Sequence, residues 1–397
     1  MAPKTTKTTK ATRATRATPP VLSTRALNRA TLDRQMLLRP APLTAEQAVH
    51  HLVGLQAQNT KPPYYALAAR LDGFRPEDLS ELMESRRVAR IVSLRSTVHT
   101  HTAADAVPLR RLVQDGAIER ELRMFGKGLV GVDLDRLTEL TAAEVDERPR
   151  TPKELRERLL QEWPDADPQS LGLAARCLLP MVQVTPRGLW GRSGRVALAR
   201  ATTWLGAAPA PDSGPPADRP ADLDETVLRY LGAFGPASVK DMQTWCGLTR
   251  LRPAFERLRP RLLVFRDEQG TELFDLPDAP RPDEDTPAPP RLLPEFDNLL
   301  LSHADRTRVV PAAHRTRTWT GNQAHRTFLL DGFLAGIWHL DEGRERTTLT
   351  IEPFVRPTKA QRDALTSEAE RTLRLLAPAG LPYEIRHEDP EDPQDTP

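Results

Sequence analysis

The chain has 397 residues and a nearly balanced charge, with 56 Lys and Arg against 54 Asp and Glu, a formal net charge of +2. That length accommodates two to four domains and a sizeable hydrophobic core. No apolar run approaches membrane-spanning length, and the N-terminal segment lacks the apolar stretch of a secretory signal. Two cysteines, Cys177 and Cys246, are too few for a disulfide framework. We therefore expect a cytoplasmic protein with reduced core cysteines and no membrane partner.

The charged residues are unevenly distributed between the two ends. Residues 1–20 contain five basic and no acidic side chains, whereas residues 388–397 contain five acidic ones. Because these tails cancel, any surface for nucleic acid must arise from the local distribution of charge. The low-complexity basic tail is predicted to be disordered, serving either solubility alone or weak phosphate binding.

The segment that holds the candidate site opens at Thr44. Apolar residues spaced three and four apart predict a helix over Thr44–Gln56, and Gln47 can complete a capping box with Thr44. The following prolines end such a helix. Gln56 and Gln58 would then lie at the helix end, where free backbone groups let a ligand approach.

Three modules of similar order are predicted along the chain. The first combines helices with an alternating segment, Val88–His101, which predicts a small hairpin or wing. The second has wing turns at Arg187-Gly188 and Ser193-Gly194. The third contains two short helices joined at Cys246-Gly247, where glycine permits the tight turn of a helix-turn-helix.

These patterns predict an α+β fold, mainly α with small β wings: three tandem winged-helix modules and a strand-rich C-terminal region. The predicted units are a disordered basic tail (1–21), a first module with the glutamines (22–130), a second module (131–205), a Pro-rich linker (206–221), a third module (222–277), a second linker (278–290), a strand-rich region with a closing helix (291–385) and an acidic tail (386–397).

Four sequence blocks accompany the glutamines in a fixed order. They are LSTRALNRATLDRQMLLRP, LRSTVHTHTAADA, LLPEFDNLLLSHADRTRVV and FLLDGFLAGIWHL. Together they resemble the AlkZ/YcaQ family of tandem winged-helix bacterial DNA glycosylases over roughly residues 22–385. In that family a Q-Φ-Q or Q-Φ-D motif, with Φ apolar, forms the catalytic centre. Gln56-Ala57-Gln58 matches the Q-Φ-Q form, so the resemblance implies that Gln56 and Gln58 are catalytic.

The chemistry of amides limits the reaction. A glutamine is neither acid nor base at accessible pH, but it can hold a water molecule by hydrogen bonds. An N7-alkylated purine is already cationic, so positioned water at C1′ suffices for its release. The resemblance thus implies a monofunctional glycosylase acting on N7- or N3-alkylpurines in double-stranded DNA. Bulky or crosslinked adducts of genotoxic natural products would be included, as part of DNA repair and self-resistance.

Several further residues are candidates for binding DNA. They are Lys61, Arg95, His99, His101, Arg187, Arg192, Arg195 and Arg306. For the arginines the alternative is a solvated surface, and for the histidine pair a structural role or support of the glutamines. No Cys or further His lies at ligand spacing near the histidines, so neither a metal nor another cofactor is expected.

Two rival functions fit the same modules. A non-enzymatic transcriptional regulator could use tandem winged helices to bind duplex DNA, since fold alone does not determine function. A scaffold that has lost activity is the other alternative. Formation of abasic sites in duplex DNA carrying N7-methylguanine would distinguish a glycosylase from both of these alternatives. We expect the protein to act as a monomer.

Overall fold

The computed structural model describes residues 18–206, 220–377 and 381–390. Most of the predicted basic tail, nearly all of the first linker and the end of the acidic tail lie outside the described residues. Among the described residues, no helix is long and apolar enough to cross a membrane.

The first half of the chain is mostly helical. Its helices are α1 Thr24–Arg34, α2 Ala45–His51, α3 Pro62–Arg70, α4 Pro76–Glu84, α5 Ala103–Leu112, α6 Glu119–Met124, α7 Leu134–Glu147, α8 Pro152–Glu162, α9 Pro168–Leu178 and α10 Ala201–Leu205. Its strands are β1 Val21–Leu22, β2 Leu55–Gln56, β3 Val88–Val92, β4 Val98–Thr102, β5 Met181–Gln183 and β6 Leu198–Arg200.

The second half contains more strand. Its helices are α11 Pro220–Phe234, α12 Val239–Cys246, α13 Arg252–Leu258, α14 Asn298–Leu301 and α15 Lys359–Leu376. Its strands are β7 Leu263–Asp267, β8 Glu272–Asp275, β9 Arg291–Leu293, β10 Trp319–Thr320, β11 Gln323–Ala324, β12 Thr327–Leu330, β13 Phe333–Glu342, β14 Thr347–Pro353 and β15 Tyr383–His387. The predicted α+β class is confirmed, whereas the number of winged-helix modules stays a prediction.

The helix predicted over Thr44–Gln56 is too long. The capping box at Thr44 is present, but α2 ends at His51, and Gly54 adopts a φ of +97°. Left-handed backbone cannot continue a helix, and the chain turns there into β2. Pairing of β2 with β4 then supplies the backbone hydrogen bonds that a longer helix would have supplied.

The two predicted wings of the first half form one sheet. Its strand order is β2-β4-β3-β5-β6, and β3 pairs with β5 at Arg90↔Gln183 and Ile91↔Val182. The strands on either side of this junction are buried, because the continuous sheet is covered by helices of both modules. The first two modules are therefore joined through backbone pairing as well as through side chains.

The predicted helix-turn-helix of the third module is present as α12 and α13. Gly247 ends α12 with a φ of +79°, which glycine adopts without steric cost. The wing β7–β8 follows, and β1 from the start of the described chain pairs in parallel with β7. The N-terminal segment thus completes the sheet of the third module.

The first module packs against both later regions. One core joins it to the sheet β15-β14-β13-β12-β9 and to α15, the predicted closing helix, which begins after the N-cap Thr358. A second core joins Val53 and Leu94 of the first module to Trp245 and Phe255 of the third. Cys246 is buried in this second core, in agreement with its predicted place in the interior.

Candidate active site

The tripeptide Gln56-Ala57-Gln58 begins on the edge strand β2 and continues past its end. Gln56 pairs with His99 of β4, and the Ala57 amide donates to the carbonyl of Val98 at 2.8 Å. The side-chain Oε1 of Gln58 accepts from the Val98 amide at 3.4 Å. The Gln58 side chain thus extends the ladder where the backbone leaves the sheet.

Gln56 is held by Arg95, which lies in the loop between β3 and β4. The Nη2 group of Arg95 donates to Oε1 of Gln56 at 2.7 Å. The same guanidinium donates through Nη1 to the carbonyl of Trp245 in α12, and its burial lowers the pKa of Arg95 to about 10. Since a guanidinium at this pKa remains charged at neutral pH and only donates, Oε1 of Gln56 must face it. The Nε2 group is then the part of Gln56 available to a ligand.

The two glutamines differ in exposure. Gln56 is 7% exposed, whereas Gln58 is on the surface. The expectation that both amides lie at a helix end is therefore wrong, because α2 ends at His51 and the tripeptide follows on β2. The expected exposure is wrong for Gln56 alone, which β2 inserts between the sheet and the Arg95 loop. Among the described residues no group hydrogen-bonds Nε2 of either glutamine, so both can donate to an incoming molecule.

The carbonyl between the glutamines is also fixed. Nη2 of Arg90, on β3, donates to the carbonyl of Ala57 at 2.7 Å. Arg90 is fully buried, and burial first and Arg187 second lower its pKa to about 10. A buried cation without a carboxylate partner is unfavourable for stability. Its hydrogen bond to the Ala57 carbonyl places Arg90 beneath the candidate site.

His99 and His101 stack with their ring centroids 5.6 Å apart, and both are buried. Burial holds the pKa of His99 well below its usual value and lowers the pKa of His101 to about 4. Nδ1 of His99 lies 3.0 Å from the carbonyl of Thr97, and Nε2 lies 3.3 Å from Nη2 of Arg95. Their burial favours support of the glutamines over direct contact with DNA, which stays a prediction.

Residues following the tripeptide connect the site to the C-terminal region. Asn59 donates to Glu295 at 3.2 Å, and Arg326 contacts the other oxygen of that carboxylate at 3.0 Å. The half-exposed Lys61 forms an ion pair with Glu342 and lies 6.0 Å from the ring centroid of Trp190. Lys61 is close to the tripeptide in sequence, and the carboxylate of Glu342 neutralises its ammonium group.

The remaining predicted DNA contacts are not brought to the tripeptide by any described contact. Arg187 is half-buried and donates to the carbonyl of Gly194 at 3.1 Å, while Arg192 and Arg195 are exposed. Arg306 is half-buried and lines a cavity of about 830 Å³ beside the third module. Their roles in binding DNA stay predictions.

Sequence reasoning missed Arg90, Trp245 and Glu295 as parts of this site. A signal existed for Arg90, since an arginine in the centre of the apolar run Val-Ala-Arg-Ile-Val is unusual in a buried strand. Trp245 contributes its backbone carbonyl, which no sequence pattern can reveal. Glu295 is more than 230 residues from Gln56 in the chain, so its proximity depends on the fold. Within the described part of the chain, no group of three or more His, Cys, Asp or Glu residues is arranged to hold a metal ion.

Comparison with known proteins places this geometry in a family. The family model described as DNA glycosylase AlkZ-like matches residues 49–375, which is most of the chain and includes the tripeptide. The chain therefore belongs to the AlkZ-like family of DNA glycosylases, as its sequence blocks predicted.

Two similar proteins come from Streptomyces sahachiroi. A curated protein named interstrand DNA cross-link repair glycosylase is 24% identical over 383 residues, covering 89% of this chain and 96% of its own. The solved structure of the DNA glycosylase AlkZ superimposes with a TM-score of 0.72 at 21% identity, covering 92% of this chain and all of that one. This likeness confirms the fold.

Proposed function

We propose that this protein is a monofunctional DNA glycosylase that hydrolyses the N-glycosidic bond of cationic N7- or N3-alkylpurines in double-stranded DNA. The observation that carries the proposal is the pair of glutamines with free Nε2 groups, one fixed by Arg95 and the other exposed. Family membership supports the glycosylase class and does not favour a transcriptional regulator.

The proposed reaction needs no acid from the protein. A water oxygen, held by the amides of Gln56 and Gln58, forms a bond to C1′ as the bond from C1′ to the purine nitrogen breaks. The electron pair of that bond neutralises the cationic base, and the water proton passes to solvent. Nε2 of Gln56 donates to the water oxygen. The exposed Oε1 of Gln58 keeps a second lone pair beside its bond to the Val98 amide, so it accepts from the water and turns its negative end toward the oxocarbenium-like state.

We extend the proposal to bulky adducts and interstrand crosslinks formed by genotoxic natural products, with a role in repair and self-resistance in the cytoplasm. The Streptomyces sahachiroi relative is an interstrand DNA cross-link repair glycosylase, which supports this extension. The exposed position of Gln58 is compatible with a large adduct, since the base need not enter an enclosed pocket.

The catalytic assignment is tested with Gln56→Ala and Gln58→Ala. Each should slow single-turnover release of N7-methylguanine by roughly a hundredfold or more, the scale of losing a transition-state hydrogen-bonding group. Gln58→Ala should keep the wild-type melting temperature, while Gln56→Ala should lower it slightly because Arg95 loses an acceptor. Gln161→Ala, at an exposed glutamine of α8, is the matched control. Wild-type rates in both site variants would remove the glutamines from the mechanism.

Lesion selectivity tests whether the protein supplies a general acid that protonates the departing base. Cationic N7- and N3-alkylpurines should be released, whereas uracil, 8-oxoguanine and 1,N6-ethenoadenine in identical duplexes should remain intact at enzyme excess. Gln58→Asp should retain activity on small N7-alkylguanines, because a carboxylate can still hold water and stabilise positive charge. Release of a neutral base by the wild-type protein would require a general acid and would overturn the proposed reaction.

A further inference from the structure

A groove of about 720 Å³ opens beside the candidate active site. One wall is the loop Arg95–Thr97, whose Arg95 holds Gln56. The opposite walls are the end of α6, with Met124 and Phe125, and the face of α12 that carries Lys240 and Thr244. The groove therefore lies between the Arg95 loop, the end of α6 and the helix-turn-helix of the third module, and it reaches the glutamines through Arg95.

The end of α6 presents an apolar side chain to solvent. Met124 is 75% exposed, which is unusual for a large hydrophobic residue. It is followed by Phe125 and by the glycines of Gly126-Lys127-Gly128. Met124 and Phe125 line the groove together with Leu248, and an exposed apolar patch with a polar rim indicates an interaction surface.

Exposed basic residues flank this apolar tip in sequence and occur on the facing helix-turn-helix. Arg123, Lys127, Lys240 and Arg250 are exposed, and none of them forms an ion pair with a described acidic residue. The arginines of α13 and its C-terminal end differ, because Arg252, Arg257 and Arg259 are all paired with carboxylates. The unpaired cations are complementary to a phosphate backbone, so the charge of the groove favours DNA as its occupant.

Helix α6 is tied to the loop that positions the catalytic candidate. Ser96, adjacent to Arg95, donates to a carboxylate oxygen of Glu121, and Arg176 contacts the other oxygen at 2.5 Å. Met124 lies three residues beyond Glu121, about 4.5 Å further along the helix axis. The contact between Ser96 and Glu121 thus ties the helix that ends at Met124 to the loop that holds Gln56.

We propose that the segment 123–127 is a wedge that enters duplex DNA next to the lesion. The Met124 side chain packs against an unstacked base, and Arg123 and Lys127 contact the flanking phosphates. This inference rests on the proposed function, since it assumes a lesion-bearing duplex at the glutamines. Apolar side chains inserted between base steps repay the unstacking energy through contacts with the bent duplex. The flexible, polarizable thioether of methionine suits packing against any base.

The test uses the full chain and a duplex with 2-aminopurine beside a 2′-fluoroarabino N7-methylguanine, which resists hydrolysis. Binding of wild-type protein should raise the 2-aminopurine fluorescence, because the wedge unstacks it. Met124→Ala should lose most of that rise, while its affinity changes less than about tenfold, since phosphate contacts dominate affinity. Val355→Ala, at a residue that is 66% exposed outside the groove, should behave as wild type.

Kinetics on a hydrolysable lesion supply an independent measurement. Met124→Ala should slow single-turnover release opposite cytosine by about tenfold or more, because the unstacking of the neighbouring base is no longer compensated by contact with the wedge. Placing the lesion opposite an abasic site should restore the rate, since less unstacking is then required. A purely structural defect would slow both substrates equally. Arg123→Gln with Lys127→Gln should lower the salt slope of binding by about 2.

The outcomes separate the wedge from the glycosylase. Full fluorescence and full rate in Met124→Ala would overturn the wedge while leaving the proposed reaction intact. A fluorescence rise without base release by the wild-type protein would overturn the proposed reaction while retaining the wedge as a DNA contact. If Met124→Ala folds poorly, Met124→Gln supplies the same loss of apolar surface, and Met124→Leu should retain the fluorescence rise.

Discussion

The hydrogen bonds around Arg95 determine which atoms of the site can act. Its guanidinium only donates, so the Nε2 atom of His99 must accept and the Nδ1–H of that ring must donate to Thr97. His99 is consequently neutral, in agreement with the low pKa that burial imposes on it. Neither Arg95 nor His99 offers a proton to a departing base, which leaves Gln56 as a hydrogen-bond donor.

The pH dependence of folding should report the buried histidines. His101 has a pKa of about 4 in the folded protein, against about 6.5 when unfolded. The unfolded chain therefore binds more protons between these values. Stability is complete above about pH 6.5 and falls as pH decreases toward 4, by about 3 kcal/mol for this residue.

Urea unfolding at pH 7, 5.5 and 4.5 measures this effect. The variant His101→Gln should lose less unfolding free energy than wild type as the pH falls, whereas His339→Gln, at an exposed histidine, should keep the wild-type pH dependence. An equal change of unfolding free energy with pH in wild type and His101→Gln would mean that the imidazole of His101 titrates in the folded protein as it does in the unfolded chain.

At the scale of elements, the turn from α2 into β2 places the glutamines. Val53 and Gly54 both have positive φ. The side-chain Nδ2 group of Asn298, at the start of α14, donates to the carbonyl of Gly54 at 2.8 Å. A Cβ atom on Gly54 would lie only 2.3 Å from the ring of His101. Both the backbone conformation and the close approach therefore require glycine at this turn.

Gly54→Ala should be strongly destabilising and should also displace β2. Gly73→Ala is the matched control, because Gly73 also has positive φ but has open space around it. The control should lose about 1 kcal/mol of unfolding free energy from backbone strain alone. We expect Gly54→Ala to lose at least about 2 kcal/mol more, since it adds a steric clash in the core. Similar melting temperatures for the two variants would show that His101 can move aside.

At the scale of the whole molecule, distant segments assemble the candidate site. Trp245 binds Arg95, Asn298 binds the turn at Gly54, and Glu295 binds Asn59. Buried ion pairs join the same units, with Arg34 of α1 contacting Asp275 of β8 at 2.6 Å. The first module therefore acquires its site geometry from the third module and the C-terminal region.

The N-terminal tail should add affinity for DNA without affecting catalysis. Residues 1–17 contain five basic and no acidic side chains, and removing them should leave base release at saturating enzyme unchanged. The truncation should stop before Pro20, whose carbonyl accepts the Arg266 amide at 2.9 Å. The salt slope of binding should decrease by up to about 4 to 5 because fewer counterions are released. Identical slopes for the two forms would limit the tail to solubility.

The amino-acid sequence by itself determined the fold class, the family and the catalytic candidates. Apolar periodicity and caps predicted helices such as the one that begins with the capping box at Thr44, because these signals are local. The sequence blocks around Gln56 and Gln58 predicted the family that the comparison confirmed. The roles of these two glutamines stay predictions until base release is measured.

Only the tertiary structure determined how the glutamines are presented. The periodicity that predicted a helix through Gln56 cannot distinguish a helix from a buried turn followed by a strand. That choice depends on β4, which supplies backbone partners for β2, and on His101, which leaves room only for Gly54. The contacts of Arg95 with Gln56 and Trp245 join residues far apart in the chain, and such contacts follow from the packing of modules rather than from local propensity.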